Sequence, residues 1–295
     1  MNEFKNYHPI INFLYFALII GFSCFFMHPF FLFVSLLCAF TYSIMIKGRK
    51  TIKATLLLIL PIMILTSLIN PAFNHEGATI IAYFPNGNPL TAESVVYGLF
   101  SATMIASVIC WFSCFNEIIT SDKLIYLFGK ILPSLSLIIS MTLRFVPKFT
   151  TQIKAIINAQ RCIGKDITSG SLVKRAKSGM AILSIMLTNA LENSIESADS
   201  MKARGYGLPN RTAFSIFTFD KRDKVSLSVI LILGIYIITG YGFGKIDFSY
   251  FPTFYSPTPS FFGISVFIAY LFLCSYPIVI EISEVLKWNV IKSKN

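Results

Sequence analysis

Three groups of residues in this chain have types and spacings that suggest chemistry. Glu192, Glu196 and Asp199 recur at four and three, so on a helix their carboxylates line one stripe, as an acid–base site would need. Cys110 and Cys114 are four apart and share a helix face, as two thiolate ligands of a metal would. The segments "NAQRCIG" (158–164) and "SMKARGYG" (200–207) each set basic residues just before a glycine, as a capped helix end does. The first two groups do not complete a site. Lys202 lies three residues from Asp199 and can pair with it, so the acidic stripe reads as a solvated or helix-pairing face. No His or carboxylate stands beside the cysteine pair, so both read as inert buried thiols, and the six cysteines imply no disulfide framework. The basic tips remain. A helix dipole alone favours cations in a last turn, and glycine beyond it is an ordinary cap. Two such tips on two long helices ask for more than that.

Composition says where those tips must stand. Hydrophobic residues make up 55% of the 295, charged residues 13%, and Phe alone fills 29 positions, which is a polytopic membrane protein with some polar mass attached. The formal charge of +11 would suggest nucleic acid in a soluble chain; here it reads as loops obeying the positive-inside rule, and no nucleic acid partner is expected. Six apolar spans are expected near 10–27, 29–46, 54–69, 94–115, 225–243 and 261–280. No small-residue cleavage site follows the first span, and Asn6 and His8 precede it, so it reads as a retained span rather than a signal peptide.

Orientation follows from the cations. "KGRKTIK" after the second span carries Lys47, Arg49, Lys50 and Lys53, and the region 116–224 carries sixteen more. The loop after the third span has none and the loop after the fifth only Lys245. With both termini cytoplasmic, 24 of the 25 Lys and Arg lie on that side. The expected organisation is an N-terminal membrane region, 1–119, with four spans; a cytoplasmic helical region, 120–222; and two further spans with a cytoplasmic tail, 223–295.

The region 120–222 does not read as a loop. A short amphipathic piece, 122–130, ends before Pro133. A second runs from 134 to about 164, with Met141, Phe145, Phe149, Ile153 and Ile156 at helical spacing and a bend expected near Val146, before Pro147. After "KDITSGS" a third repeats the pattern in Leu172, Ala176, Met180, Leu183, Leu187, Leu191, Ala198 and Met201, a helix roughly 50 Å long. Apolar stripes on helices this long must be buried on each other, on the membrane face or on other proteins.

The chain contains no GxxxxGK, HExxH, GxSxG or CxxC, so no catalytic centre, cofactor site or metal site is expected. The spans hold no Asp, Glu, Lys, Arg or His, whereas ion-coupled carriers usually place one in the bilayer. A membrane protein with neither an evident path nor an energy source, but with long cytoplasmic helices, suggests a coupling subunit. A self-contained channel or secondary transporter with a regulatory insert is the alternative, and an intramembrane enzyme a weaker third.

The runs "LFGKILPSLSLIISMTLRFVPKFTTQIKAIINAQRCIGKD", "ADSMKARGYGLPNRT", "NPAFNHEGATI" and "LTAESVVYGL" together resemble the transmembrane T component of energy-coupling factor transporters, over roughly residues 66–223. The resemblance implies a non-catalytic subunit of the bacterial or archaeal cell membrane. It would join two cytoplasmic ABC-type ATPases to a small substrate-binding membrane subunit for a vitamin or transition-metal ion. It also implies that Ala-Arg-Gly-like triplets at the tips of two coupling helices dock into the ATPases. Ala203, Arg204 and Gly205 form one triplet. In the other, Gly164 matches, Ile163 stands where arginine is usual, and Arg161 lies two residues earlier.

Overall fold

The computed structural model describes residues 3–83, 85, 87–131, 133–165, 171–206, 208, 217–244, 246–256 and 260–294. A 3-10 turn, Glu3–Asn6, leads into α1 (Pro9–Phe25) and α2 (Pro29–Lys47), which begin alike. His8 Nδ1 accepts from Ile10 N at 3.3 Å and His28 Nδ1 from Phe30 N at 3.2 Å. A proline at the first helical position follows each, where its missing N–H costs nothing. α3 (Arg49–Phe73) and α4 (Ala92–Ile118) follow, then α5 (Ser121–Ile131), α6 (Pro133–Cys162), α7 (Leu172–Ala203), α8 (Lys221–Gly242) and α9 (Phe261–Lys294).

The expected all-α membrane architecture is what the structure shows. Among the described residues, five helices are long and apolar enough to cross a bilayer: α2, the 56–73 part of α3, α4, α8 and the 261–288 part of α9. α1 is apolar but only 17 residues, about 26 Å, just short of the hydrocarbon thickness. α9 runs well past residue 280, where the span was expected to end.

One element was not expected. Between α3 and α4, strands β1 (Ile80–Tyr83) and β2 (Pro89–Thr91) pair antiparallel, Ile80 opposite Thr91 and Tyr83 opposite Pro89. Thr91 ends the hairpin and starts α4: its Oγ1 donates to Glu76 O at 2.7 Å and accepts from Ser94 N at 3.3 Å. Glu93, buried in the first turn, accepts from Thr79 N at 3.3 Å. Gly77, at φ +136°, leaves that carboxylate room, since a Cβ there would stand 2.5 Å from Glu93 Oε2. The α8–α9 connection closes the same end, with Tyr250 Oη donating to Met27 O at 2.6 Å and Ala78 N to Pro252 O at 3.0 Å.

The chain divides into two units, Met1–Leu124 with Phe217–Asn295, and Ile125–Ile216. The first has a dense aromatic core. Trp111 is fully buried, donates Nε1–H to Ser35 Oγ at 2.9 Å, and meets Tyr15 and Phe16 edge-on at 6.1 and 6.2 Å. Ser35 and Ser23 share a hydrogen bond at 2.7 Å, so both serine hydroxyls are partnered where α1 and α2 close on α4. Cys110, Cys114 and Cys274 lie buried in this core as free thiols.

Candidate coupling surface of the insert

The second unit is built from α6 and α7 with the end of α5. Both long helices form where the apolar spacing places them, and α6 carries Pro147 inside it. Ser136 Oγ donates to Ile125 O at 3.0 Å, joining the α5 end to the start of α6. Lys148 Nζ donates to Asn193 Oδ1 at 3.0 Å, joining α6 to α7. Phe145 and Phe149 stack at 5.7 Å, with Arg144 and Lys148 about the Phe145 ring. Among the described residues of this unit only Ile182 is a buried hydrophobic. Met180, Leu183, Leu187, Leu191 and Ile195 form an exposed stripe along α7, Leu191 at 66%. Ile138, Leu143 and Val146 are exposed on α6. The stripe is apolar area that the described residues of this unit leave open.

The acidic stripe is where the spacing placed it, exposed on α7. The expected partner is not engaged: among the described residues the side-chain ion pairs are Arg222–Asp220 and Lys287–Glu284, and Asp199 does not bridge to Lys202. No group of three or more His, Cys, Asp or Glu among the described residues is placed to hold a metal.

The two tips prove to be the same structure. α6 closes with Gly164 at φ +75°: Gly164 N donates to Arg161 O at 3.0 Å and Lys165 N to Gln160 O at 2.9 Å. α7 closes with Gly205 at φ +78°: Gly205 N donates to Lys202 O at 2.9 Å and Tyr206 N to Met201 O at 3.0 Å. Each is the paired cap in which a left-handed residue satisfies the last carbonyls. Counting back from the glycines, Ile163 and Arg204 hold equivalent positions, Cys162 matches Ala203, and Arg161 matches Lys202. Ile163, 64% exposed, and Arg204 both face solvent. The caps differ in one respect. A Cβ on Gly205 would meet Leu208 Cδ1 at 3.0 Å, while one on Gly164 would meet nothing within 4 Å. The rest of the second motif, Gly207 and 209–212, and the 166–170 stretch of the connection lie outside the described residues.

Spacing alone had found the glycines and the cations. That the backbones match was carried only by the hydrogen bonds, and Leu208, folded against Gly205, had no signal in the motif.

The helices and the exposed insert define an all-α, multi-pass membrane protein. Residues 6–216 match the model of the family described as cobalt transport protein. The energy-coupling factor transporter transmembrane protein EcfT of Brevibacillus brevis (strain 47) is 30% identical over 234 residues, 75% of this chain and 82% of that protein. Proteins of the same name match over less: that of Lactobacillus helveticus (strain DPC 4571) is 39% identical over 106 residues, 35% of this chain and 38% of its own length. That of Staphylococcus aureus (strain 04-02981) is 34% identical over 102 residues, 34% and 38%. The chain therefore spans under two fifths of the length of several relatives it matches. This chain belongs to the cobalt transport protein family and is a homologue of energy-coupling factor transporter transmembrane proteins.

Proposed function

We propose that this chain is the non-catalytic coupling subunit of an energy-coupling-factor importer in the bacterial or archaeal cell membrane. Its insert receives the ATP-driven motion of two cytoplasmic ABC-type ATPases and passes it to a small membrane subunit that captures a vitamin or transition-metal ion. The observation that carries the reading is the pair of matched caps, each presenting one outward residue at the end of a long helix. Arg204 brings a planar fork of donors suited to a carboxylate pocket, and Gly205 lets a partner's backbone come close. Ile163 brings apolar surface to the equivalent place. The stripe on α7 supplies what a membrane partner needs, apolar area on a rigid rod. The division of basic residues supports cytoplasmic termini and a cytoplasmic insert.

The test is purification from its native membrane in mild detergent. A coupling subunit brings ATP-binding proteins with it, and the purified chain alone neither binds nor hydrolyses ATP. A chain that purifies alone and moves solute by itself in liposomes is the channel or carrier instead. Orientation is tested with single cysteines at Asn74 and Thr253, which label from outside intact cells if the termini are cytoplasmic.

A further inference from the structure

At the end of the first unit opposite the hairpin, charged side chains are buried in an unusual way. Lys123 of α5, Asp223 of α8 and Glu281 of α9 are each about 5% exposed or less. A charge at that depth is costly unless it is spent on hydrogen bonds. All three are spent on one short stretch of main chain. Phe4 N donates to Glu281 Oε1 at 3.2 Å. Lys123 Nζ donates to the Lys5 carbonyl and, with the Asn12 carboxamide turned to suit both neighbours, to Asn12 Oδ1 at 2.7 Å. The same carboxamide then donates to Phe4 O at 3.0 Å. His8 N donates to Asp223 Oδ1 at 3.3 Å, while Asp223 Oδ2 accepts from Asp220 N at 3.1 Å in the α8 capping box. Rings complete the arrangement: Phe4, fully buried, meets Tyr15 edge-on at 5.3 Å, His8 meets Phe219 at 5.0 Å, and the Arg222 guanidinium lies 5.5 Å from the Tyr7 centroid.

The places these contacts reach are not scattered. The chain leaves the first unit at Leu124 and returns to it at Phe217. Lys123 is the last residue but one before the departure; Phe219, Asp220, Arg222 and Asp223 follow the return. Residues 4–8 hold both. We propose that residues 4–8 are a clamp on the two roots of the insert, fixing the point where the chain departs against the point where it returns. Lys123 and Asp223 are its positioning residues. Resting on the coupling function proposed above, the clamp makes movement delivered along the insert reach the membrane helices instead of being absorbed as slack between its roots. Burial pushes the Lys123 ammonium down to about 8, and the neutral amine still has donors for both oxygens, so the clamp holds across physiological pH.

Asp122 and Lys221 are exposed beside the two roots and accept spin labels as Asp122→Cys and Lys221→Cys, with exposed Cys24 and Cys162 replaced by serine. In the full chain in lipid nanodiscs, the clamp gives one narrow distance distribution by pulsed electron resonance. Lys123→Met, which leaves the Lys5 carbonyl and Asn12 oxygen without their donor, broadens it about twofold as that end opens locally. Phe219→Ala removes an exposed ring at the returning root and leaves the buried hydrogen bonds in place, so it is the milder variant, and it broadens the same distribution. Unchanged widths in both variants overturn the clamp. That measurement needs no partner, so it stands even if the coupling function fails. The second measurement is substrate taken up per ATP hydrolysed by the assembled complex. It falls about threefold in Lys123→Met at unchanged ATPase co-purification, as loss of a coupling contact predicts. Broadened distances with an unchanged ratio overturn the coupling role, and loss of co-purification overturns the claim that the clamp acts downstream of docking.

Discussion

The two units of this chain use apolar residues for opposite ends. Around Trp111, rings from α1, α2, α4 and α9 interlock until the largest side chains have no exposed surface. Along α7, residues of the same chemical type stand at helical spacing and remain open, and Ile182 alone is buried among the described residues of that unit. A core packed by contacts within the chain loses stability with each atom removed. A stripe that the described residues of its own unit leave open is expected to lose little stability when atoms are removed. The difference separates residues that hold this protein together from residues kept for something else, and mutations read out on two scales can test it.

The largest effect is expected in the core. Trp111→Ala removes the ring that Tyr15, Phe16 and Tyr42 pack on and leaves Ser35 Oγ with only its bond to Ser23. A loss of about 3–5 kcal/mol is expected in thermal or denaturant unfolding in detergent. Leu191→Ala, on the stripe, should change stability by no more than about 0.5 kcal/mol and weaken partner retention instead. Equal destabilisation by both variants would erase the distinction between the units.

Next come the tips. Arg204→Ala is expected to weaken ATPase retention by about 2–5 kcal/mol, the cost of losing one partner of a desolvated charge pair. Arg161→Ala should do much less, because the caps align Arg161 with Lys202 and not with Arg204. Two residues turn a helical side chain by about 200°, so Arg161 cannot stand where Ile163 does. The readout is co-purification at equal membrane abundance. Loss of assembly in Arg161→Ala with tolerance of Arg204→Ala would reverse the order of the two tips.

The glycines sharpen the same contrast at smaller scale. Gly205→Ala and Gly164→Ala each force an L residue into a left-handed conformation, about 1–2 kcal/mol apiece. At Gly205 the new methyl also presses on Leu208 at 3.0 Å, so that variant should be the worse of the two in helix-end protection from hydrogen exchange. Equal loss at both ends would mean that Leu208 yields freely.

What the sequence made legible follows from what leaves a local trace. Spans show by length and apolar content alone, and amphipathic helices by spacing, so the architecture and the insert helices were readable. The His-Pro pairs at 8–9 and 28–29 are legible as helix starts, since proline at the first position is a known signal. The hairpin was harder. "TIIAYFPNGNPLT" has a turn signal but only four- and three-residue strands, too short for a period to show. The aromatic core could not be read, because spans apolar all round do not announce which face turns inward. Least legible was the N-terminal segment, whose partners Lys123, Asp223 and Glu281 lie 118 to 277 residues away from the residues they bond. Nothing near Phe4 or Lys5 names them.

The smallest expected effect lies at the hairpin end, and it turns on a proton. His28 caps α2 through Nδ1, which can accept from Phe30 N only while that nitrogen is unprotonated. The ring sits among Phe31, Phe248 and Phe267, with centroids 5.0 to 5.9 Å away. Burial there lowers its pKa below the ordinary imidazole value near 6.5. A folded pKa below the unfolded one means that the unfolded chain binds the proton more readily. The contribution of His28 is therefore whole above the ordinary value and is lost as pH falls through the lowered one. Its size is that of a helix cap, about 1 kcal/mol. Thermal unfolding between pH 7.5 and 5 should fall accordingly in the native chain. His28→Asn keeps a capping oxygen that does not titrate, so its curve should be flatter over the same range. A slope identical in the two proteins would assign the acid sensitivity to other groups and leave His28 a cap without a proton-linked role.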